Sequence, residues 1–494
     1  MMRSHKLVRE QTPSGVIYYI NCLILLFSLL YLGGCGPQYT LMSEAQEAKV
    51  STEQHGKIIA QYGGVYENPA VAAYVETIMK KIATASERPD RKFKITVLDS
   101  PAVNAFALPN GYTYVTRGLL ALANNEAEVA GVVGHEIAHV TARHSAQRHT
   151  AAVGTAVVAG ILGGVANAQV PGSGDAIAEL LNFGGNAAVA GFSRSQEYEA
   201  DSLGLQTSFR AGYQPKSAAD FLESLGRQTE FQNKLASRDL PVGSDWFSTH
   251  PNTKDRVARA RGLATSYALG RDHLIVGRET HFKAIDGIAY GDSPHEGFVR
   301  GRAFIHPELK VYFDVPDGFK LINGKERVAA IGSDDRVIVF DIAKMVDAPS
   351  SQDDLAQYMR KQWVGDSRLN VKTLRVSGYE AVRAYTVKKN QHYHVLAING
   401  EGGTIFRFLT RMKVDDKGRV LDDVMNAIKV RSKFPVPSPQ PLRVKVITVQ
   451  KGDTISKLAN AMMVPDQHIE RFKVLNGLSN LDKLKVGQQL KTIY

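Results

Sequence analysis

His135-Glu136-Ile137-Ala138-His139 carries the strongest chemical signal in this chain. On a helix, residues four apart differ by about 40° in direction, so both imidazoles would face one metal ion. Glu136 sits one residue past the first imidazole. Its carboxylate can reach the outer side of a water on that metal and take its proton. The chemistry implied is hydrolysis by a metal-activated water. A tetrahedral zinc centre of this kind needs one more protein ligand, and Glu197, Glu199 and Asp201 are the candidates downstream. Glu197 and Asp201 are four apart and share a helix face, whereas Glu199 points about 200° away from Glu197. One face can thus hold a ligand and a further carboxylate that orients a ligand histidine. Glu199 reads as a solvated charge. His144 and His149 have no carboxylate partner nearby in sequence and read as surface residues.

The elements that must position these groups follow from periodicity. Asn68 to Ile82 predicts an amphipathic helix, with Pro69 in its first turn and Val71, Val75, Ile78 and Ile82 on one stripe. Phe93 to Leu98 and Tyr112 to Thr116 alternate like strands, with Asn110-Gly111 as the turn before the second. Asn125 to Arg148 predicts one long helix, opened by Glu126 and Glu128 and buried through Val129, Val132 and Val133. Helices are expected again over Ser193 to Gly212 and Ser217 to Thr229. Between them, Ala151 to Phe192 is Gly-rich and almost uncharged. Gly-rich helices are weak in water, so this stretch is expected to be a mobile cover over the core rather than a membrane hairpin.

Several blocks, in order, resemble one known family. They are Asn104-Ala105-Phe106-Ala107-Leu108-Pro109-Asn110-Gly111, Gly118-Leu119-Leu120, Asn125-Glu126-Ala127-Glu128, the His135 block, Ser193-Arg194 through Glu197 to Ala200-Asp201, and Thr249-His250-Pro251 with Arg256. The chain over about residues 40 to 265 resembles the HtpX and type I CAAX prenyl protease group of zinc metallopeptidases, with its periplasmic BepA-like members. Asn110 stands where that family usually has glycine; Asn tolerates a left-handed backbone. The resemblance implies that His135, His139 and Glu197 hold zinc and that Glu136 is the general base. It makes Asp201 the partner that orients a ligand, and sets His250 beside the metal with Arg256 close by. His250 is then the best candidate to stabilise the oxyanion, with Arg256 or Arg194 holding the geometry. It also has the chemistry to occupy the fourth metal position and keep the enzyme shut. The strand at Asn104 and Ala105 is expected to bind substrate by edge addition.

The remaining chain bounds where such an enzyme works. At 494 residues, 44% hydrophobic and 22% charged, it has the composition of a folded multidomain protein. The formal net charge of +11 is scattered, without basic blocks interleaved with aromatics, which argues against nucleic acid. Arg3, Lys6 and Arg9 precede an apolar run from Val16 to Leu32, and Leu32-Gly33-Gly34-Cys35 resembles a bacterial lipobox. Residues 1–34 are therefore read as a lipoprotein signal peptide and Cys35 as the lipidation site. The protein would face the periplasm, with Gly36 favouring the outer membrane. Cys22 would leave with the signal, so no disulfide is expected.

The expected architecture is α+β. A mainly helical zincin-type (gluzincin) metallopeptidase domain at 35–270 precedes a small α+β domain of unknown role at 271–434. A Pro-rich linker at 435–443 and a module at 444–494 follow. Val449-Gln450-Lys451-Gly452-Asp453-Thr454-Ile455, Leu475-Asn476-Gly477-Leu478 and Val486-Gly487-Gln488-Gln489-Leu490 resemble a LysM module, a βααβ fold whose usual ligand is N-acetylglucosamine polymer such as peptidoglycan. The linker implies a tail that could be removed without altering zinc content. The function expected is endopeptidase action on misfolded or misassembled envelope proteins, with zinc as cofactor. A chaperone-like assembly factor for outer-membrane proteins with restrained proteolysis is the alternative, and a cell-wall hydrolase a third reading suggested by the tail.

Overall fold

The chain is described as a computed structural model over residues 40–162, 191–235, 246, 250–251, 254–268, 273–324, 327–333, 336–345, 349, 351–388, 391–412, 429–430, 440–479 and 481–494. Cys35, residues 163–190 of the Gly-rich stretch and linker residues 435–439 lie outside them.

The N-terminal half is built around one buried helix. Helix α1 (Glu44–Gln61) starts from a reciprocal Ser43–Gln46 cap, and α2 (Pro69–Ala85) from the Asn68 side chain with Pro69 in the first turn. Val71, Val75, Ile78 and Ile82 of α2 are buried, as their spacing predicts. Strands β1 (Lys94–Leu98), β2 (Ala105–Ala107) and β3 (Tyr112–Thr116) form a sheet in the order β1-β3-β2, with β1 parallel and β2 antiparallel to β3. The short α3 (Arg117–Leu122) leads into α4 (Glu126–Thr141), whose first turn is capped by Asn125. Nearly every residue of α4 is buried, His135, Glu136 and His139 included.

The long helix expected over 125–148 is broken. Arg143 adopts a left-handed backbone, φ 56°, and α5 (His144–Leu162) starts in a new direction. The cause is tertiary: Arg143 donates to Glu47 Oε1 at 3.2 Å and to Met42 O at 2.6 Å, which pulls the corner toward α1. Helices α6 (Arg194–Arg210), α7 (Pro215–Leu235) and α8 (Lys254–Ala268) complete the bundle.

Helices α4 and α6 cross on glycine. A methyl group at Gly134 would lie 2.7 Å from Gly204 O, and one at Gly204 would lie 2.6 Å from His135 N. Only hydrogen fits there. This close approach brings the first turn of α6, with Glu197, against the imidazoles of α4.

After α9 (Arg278–Ile285) and β4 (Ala289–Tyr290) the chain becomes strand-rich. Strands β5 (Phe298–Arg300), β6 (Ala303–His306), β7 (Val311–Asp314), β8 (Lys320–Asn323), β9 (Arg327–Ile331) and β10 (Val337–Lys344) precede α10 (Gln352–Tyr358), which continues as a π-turn. Strands β11 (Val371–Val376), β12 (Tyr379–Lys388), β13 (Gln391–Asn399), β14 (Thr404–Met412) and β15 (Lys429–Val430) follow. Two sheets result, β11-β12-β13-β14-β10-β9-β8 and β15-β7-β6-β5. Phe304, Phe313, Phe340, Phe406 and Phe408 lie in a shared core between them.

The last segment is a βααβ module: β16 (Leu442–Thr448), α11 (Ile455–Asn460), α12 (His468–Asn476) and β17 (Gln489–Ile493), with the strands antiparallel. It does not hang free. Leu442 and Arg443 pair with β4, and Phe472, Leu475, Leu490 and Ile493 join the same core as α4 and α7. The expectation of a removable tail is therefore corrected: cutting it away would expose the centre of the zinc-helix core.

The glycine crossing generates a prediction. Gly204→Ala must push α6 off α4, at a cost of about 1–3 kcal/mol. Zinc content after dialysis should fall while far-UV circular dichroism stays close to wild type. Full zinc occupancy in that variant would show that the crossing does not set the site.

Candidate metal centre

The site forms where α4, α6 and the residues before α8 meet. His135, His139, Glu197 and His250 each offer one ligand atom, and these atoms lie within 4.8 Å of one another. All four residues are buried. His139 Nε2 is 3.0 Å from His135 Nε2, which is 3.3 Å from His250 Nδ1. Glu197 Oε1 stands 2.9 Å from His250 Nδ1 and 3.4 Å from His139 Nε2. A tetrahedral zinc at 2.0–2.2 Å from each ligand needs ligand atoms about 3.3 Å apart, so this donor set fits. Glu197 Oε2 is ion-paired with Arg256 Nη1 at 2.5 Å, which leaves Oε1 to face the imidazoles.

Neighbouring groups turn lone pairs toward the centre. Asp201 Oδ1 is 3.0 Å from His135 Nδ1, close though bent from ideal alignment, which leaves Nε2 to face the metal position. Arg256 forks onto Asp201 with Nε at 2.8 Å and Nη2 at 2.7 Å, and donates to the backbone oxygens of His250 and Pro251. The guanidinium thus ties α6 to the segment carrying His250. His139 Nδ1 meets His144 Nδ1 at 2.8 Å, and His144 Nε2 meets Glu199 Oε2 at 3.3 Å. With the carboxylate accepting from His144 Nε2–H, His144 Nδ1 must accept from His139 Nδ1–H. His139 Nε2 then presents its lone pair.

That relay corrects the surface reading of His144, which is fully buried. Glu199 is half-exposed but partnered rather than simply solvated. The break at Arg143 aims His144 back at the site, and no helical periodicity could have shown it. His149 is partly buried, so the surface reading fails for it in part as well.

The structure also adds Trp246, which motif reading missed. Its Nε1–H donates to Glu136 Oε1 at 3.2 Å, and its ring stacks on His250 with centroids 4.7 Å apart. Its backbone N–H is held by Val103 O at 3.1 Å, just before β2. The signal available was a rare tryptophan one helical turn before His250. Phe192 stacks on His139 at 3.9 Å and the Arg148 guanidinium lies over the Phe192 ring at 4.8 Å, so the cluster is roofed by an aromatic ring. Asn104 and Ala105 are both buried. Strand β2 pairs with β3 along one side, and its other edge pairs with no strand among the described residues.

The electrostatics suit a cation and a base. Burial pushes the Glu136 carboxyl above its ordinary value, opposed by His250, His135 and the Trp246 bond. Burial also holds His139 well below the usual imidazole range, which keeps it neutral and able to ligate. For Asp201, burial acts upward, but the bonds to Arg256 and His135 outweigh it and keep the group ionised.

The sequence pattern of peptidase family M48 matches residues 69–264, which hold every residue of this cluster. Residues 69–264 are a peptidase family M48 domain. A LysM domain matches residues 447–492. M48 peptidases are zinc-dependent, so zinc is the metal this centre serves. The chain is 30% identical over 217 residues to the mitochondrial metalloendopeptidase OMA1 of Schizosaccharomyces pombe, covering 43% of this chain and 59% of that protein. It is 29% identical over 206 residues to a putative beta-barrel assembly-enhancing protease of Vibrio cholerae, covering 41% of each. For the beta-barrel assembly-enhancing protease of Escherichia coli the figures are 28% over 200 residues, 40% of this chain and 39% of that one. The chain therefore spans less than two thirds of each relative's length.

The relay predicts a graded series in the M48 domain. Glu197→Ala should abolish tight zinc binding, and His144→Ala should weaken it about 10–100-fold by freeing the His139 ring. Glu199→Ala, at a half-exposed position, should have the least effect. Zinc retained against graded chelator measures all three; wild-type retention in His144→Ala would contradict the relay.

Proposed function

We propose that the protein is a zinc-dependent endopeptidase of the bacterial envelope, acting on misfolded or misassembled envelope proteins. The observation that carries this reading is the convergence of four buried donors beside Glu136, close to an edge of β2 that pairs with no strand among the described residues. When bound, zinc supplies Lewis-acid polarisation of a carbonyl and acidifies water. The chain's own residues do the rest. His135, His139 and Glu197 would hold the metal, and Asp201 would orient His135. An extended substrate adds to the outer edge of β2 through the backbone of Ala105, and Asn104, whose own backbone is bonded to Thr116, contacts it through the side chain. Glu136, made more basic by burial, takes the proton of the attacking water and delivers it to the leaving amine. His250 and Arg256 serve the developing negative charge, His250 as donor and Arg256 by fixing the loop that carries it.

One observation favours restraint. His250 stands among the four donors, and Trp246 on the same turn binds the Glu136 carboxylate. This supports a resting form that must release His250 and Trp246 together before peptide enters. It also lends weight to the second reading, a chaperone-like assembly factor for outer-membrane proteins that seldom cleaves. The names of the beta-barrel assembly-enhancing relatives support an envelope address for either. Anchoring would come from lipid on Cys35 and peptidoglycan contact from the LysM domain. Among the described residues no helix is long and apolar enough to cross a membrane.

Two experiments test this function. Glu136→Gln should keep its zinc and lose casein cleavage by about 10²–10⁴-fold, since the ligands remain and the base does not. Cleavage near wild type would remove Glu136 from the mechanism. For the address, wild-type protein should incorporate labelled palmitate in bacterial cells and Cys35→Ser should not. A wild type that takes up no label would end the lipoprotein reading.

A further inference from the structure

The ammonium of Lys491, on β17 of the C-terminal module, is buried inside the peptidase half. It donates to Ala121 O at 2.7 Å, Leu122 O at 2.8 Å and Ala123 O at 2.7 Å. These are the last carbonyls of α3 and the residue beyond it, left without helical partners. A lysine has three donors, and all three are spent here. The strand that carries it is pinned twice more. Asn476 accepts from Lys491 N at 2.7 Å and donates to Lys491 O at 2.9 Å. Arg278 bridges Asn124 O at 3.2 Å and Gln489 O at 2.8 Å.

The turn gripped in this way opens the metal-binding helix. Asn125 caps α4, Asn124 N donates to Glu128 Oε2 at 2.8 Å, and Asn125 Nδ2 donates to Glu128 Oε1 at 2.9 Å. Burial pulls the Lys491 ammonium well below the ordinary lysine range, and the nearby Glu128 carboxyl, itself buried and pushed up to about 7, opposes that shift. A buried ammonium facing helix-terminal carbonyls and one carboxyl is destabilising unless every partner is in place. The module is therefore not a spacer resting on the core; its lysine completes the polar junction from which α4 runs to His135.

We infer that Lys491 is a positioning residue for the metal centre, so that the peptidase works only with its C-terminal module docked. The activity part of this inference rests on the endopeptidase reading above. It acts through the α3–α4 turn: with the ammonium gone, Ala121 O and Leu122 O lose its bonds, Ala123 O keeps only His281 Nε2 at 3.0 Å, and the Glu128 carboxylate loses the nearby positive charge, so the first turn of α4 loosens. The His135 and His139 rings then sample more positions relative to Glu197.

The test uses the full chain with Lys491→Met, Glu128→Gln and the double variant. Zinc release to an excess of chelator and casein cleavage are followed at a temperature well below melting. Lys491→Met should release zinc about tenfold faster and lose about tenfold in kcat at unchanged KM. On the Glu128→Gln background the same substitution should cost at most a third as much, because no buried charge is orphaned. Zinc release and kcat within twofold of wild type, with only the melting temperature lowered, would reduce Lys491 to a fold prop and overturn the inference. Should Lys491→Met fail to fold, hydrogen exchange of the wild type decides. The first-turn amides of α4 and those of β17 should open as one unit, and a β17 that opens far more readily than α4 would overturn the coupling. A wild type that cleaves no casein would defeat the endopeptidase reading, while zinc release and exchange would still decide this one.

Discussion

Three imidazole nitrogens and a carboxylate oxygen, all dry, face one another within 4.8 Å, and the rest of the structure answers to that constraint. Such donors cannot satisfy each other by sharing protons, since too many lone pairs point inward. A cation stabilises them, and until it arrives the fold must hold them against their own repulsion. Arg256 does this from one side. Its buried guanidinium lies against Glu197 and forks onto Asp201, placing positive charge where two carboxylates converge. Removing either partner would leave a buried charge uncompensated, which is why such networks fail all at once. The glycine contact between α4 and α6 meets the same demand sterically, because a wider helix separation would take Glu197 out of reach.

The metal-binding helix is held at both ends by residues remote in sequence. At its C-terminal end, Arg143 turns out of helical geometry to reach Glu47 and Met42, and the turn aims His144 at His139. At its N-terminal end, Lys491 and Arg278 secure the turn before Asn125. The ligand spacing within α4 is local, but the orientation of the helix is a property of the whole chain. A helix fixed this firmly suits chemistry that needs ligands placed to a fraction of an ångström.

This division explains what could be read from the sequence. The His135–Glu136–His139 spacing and the shared face of Glu197 and Asp201 are helical periodicities, visible without a fold. The stripe of α2 and the strands of the small sheet are legible for the same reason, and the βααβ module through motifs that resemble LysM. His144 was misread because its burial depends on a helix break caused by contacts about a hundred residues away. Trp246 was missed because a hydrogen bond to Glu136 across the fold leaves no spacing to detect. The module was expected to hang from a Pro-rich linker, since prolines signal extension but say nothing about docking. Nothing in the sequence around Lys491 marks it for burial; only the seating of β17 against the end of α3 does that.

The claim on which all of this rests is the identity of the zinc ligands, and X-ray absorption at the zinc edge of the loaded wild-type protein reads it most directly. In the resting form, with His250 still against the metal beside His135, His139 and Glu197, four nitrogen or oxygen neighbours at about 2.0–2.2 Å are expected, with outer-shell scattering from three imidazole rings. A sulfur neighbour at about 2.3 Å, or a shell of oxygens alone, would contradict it.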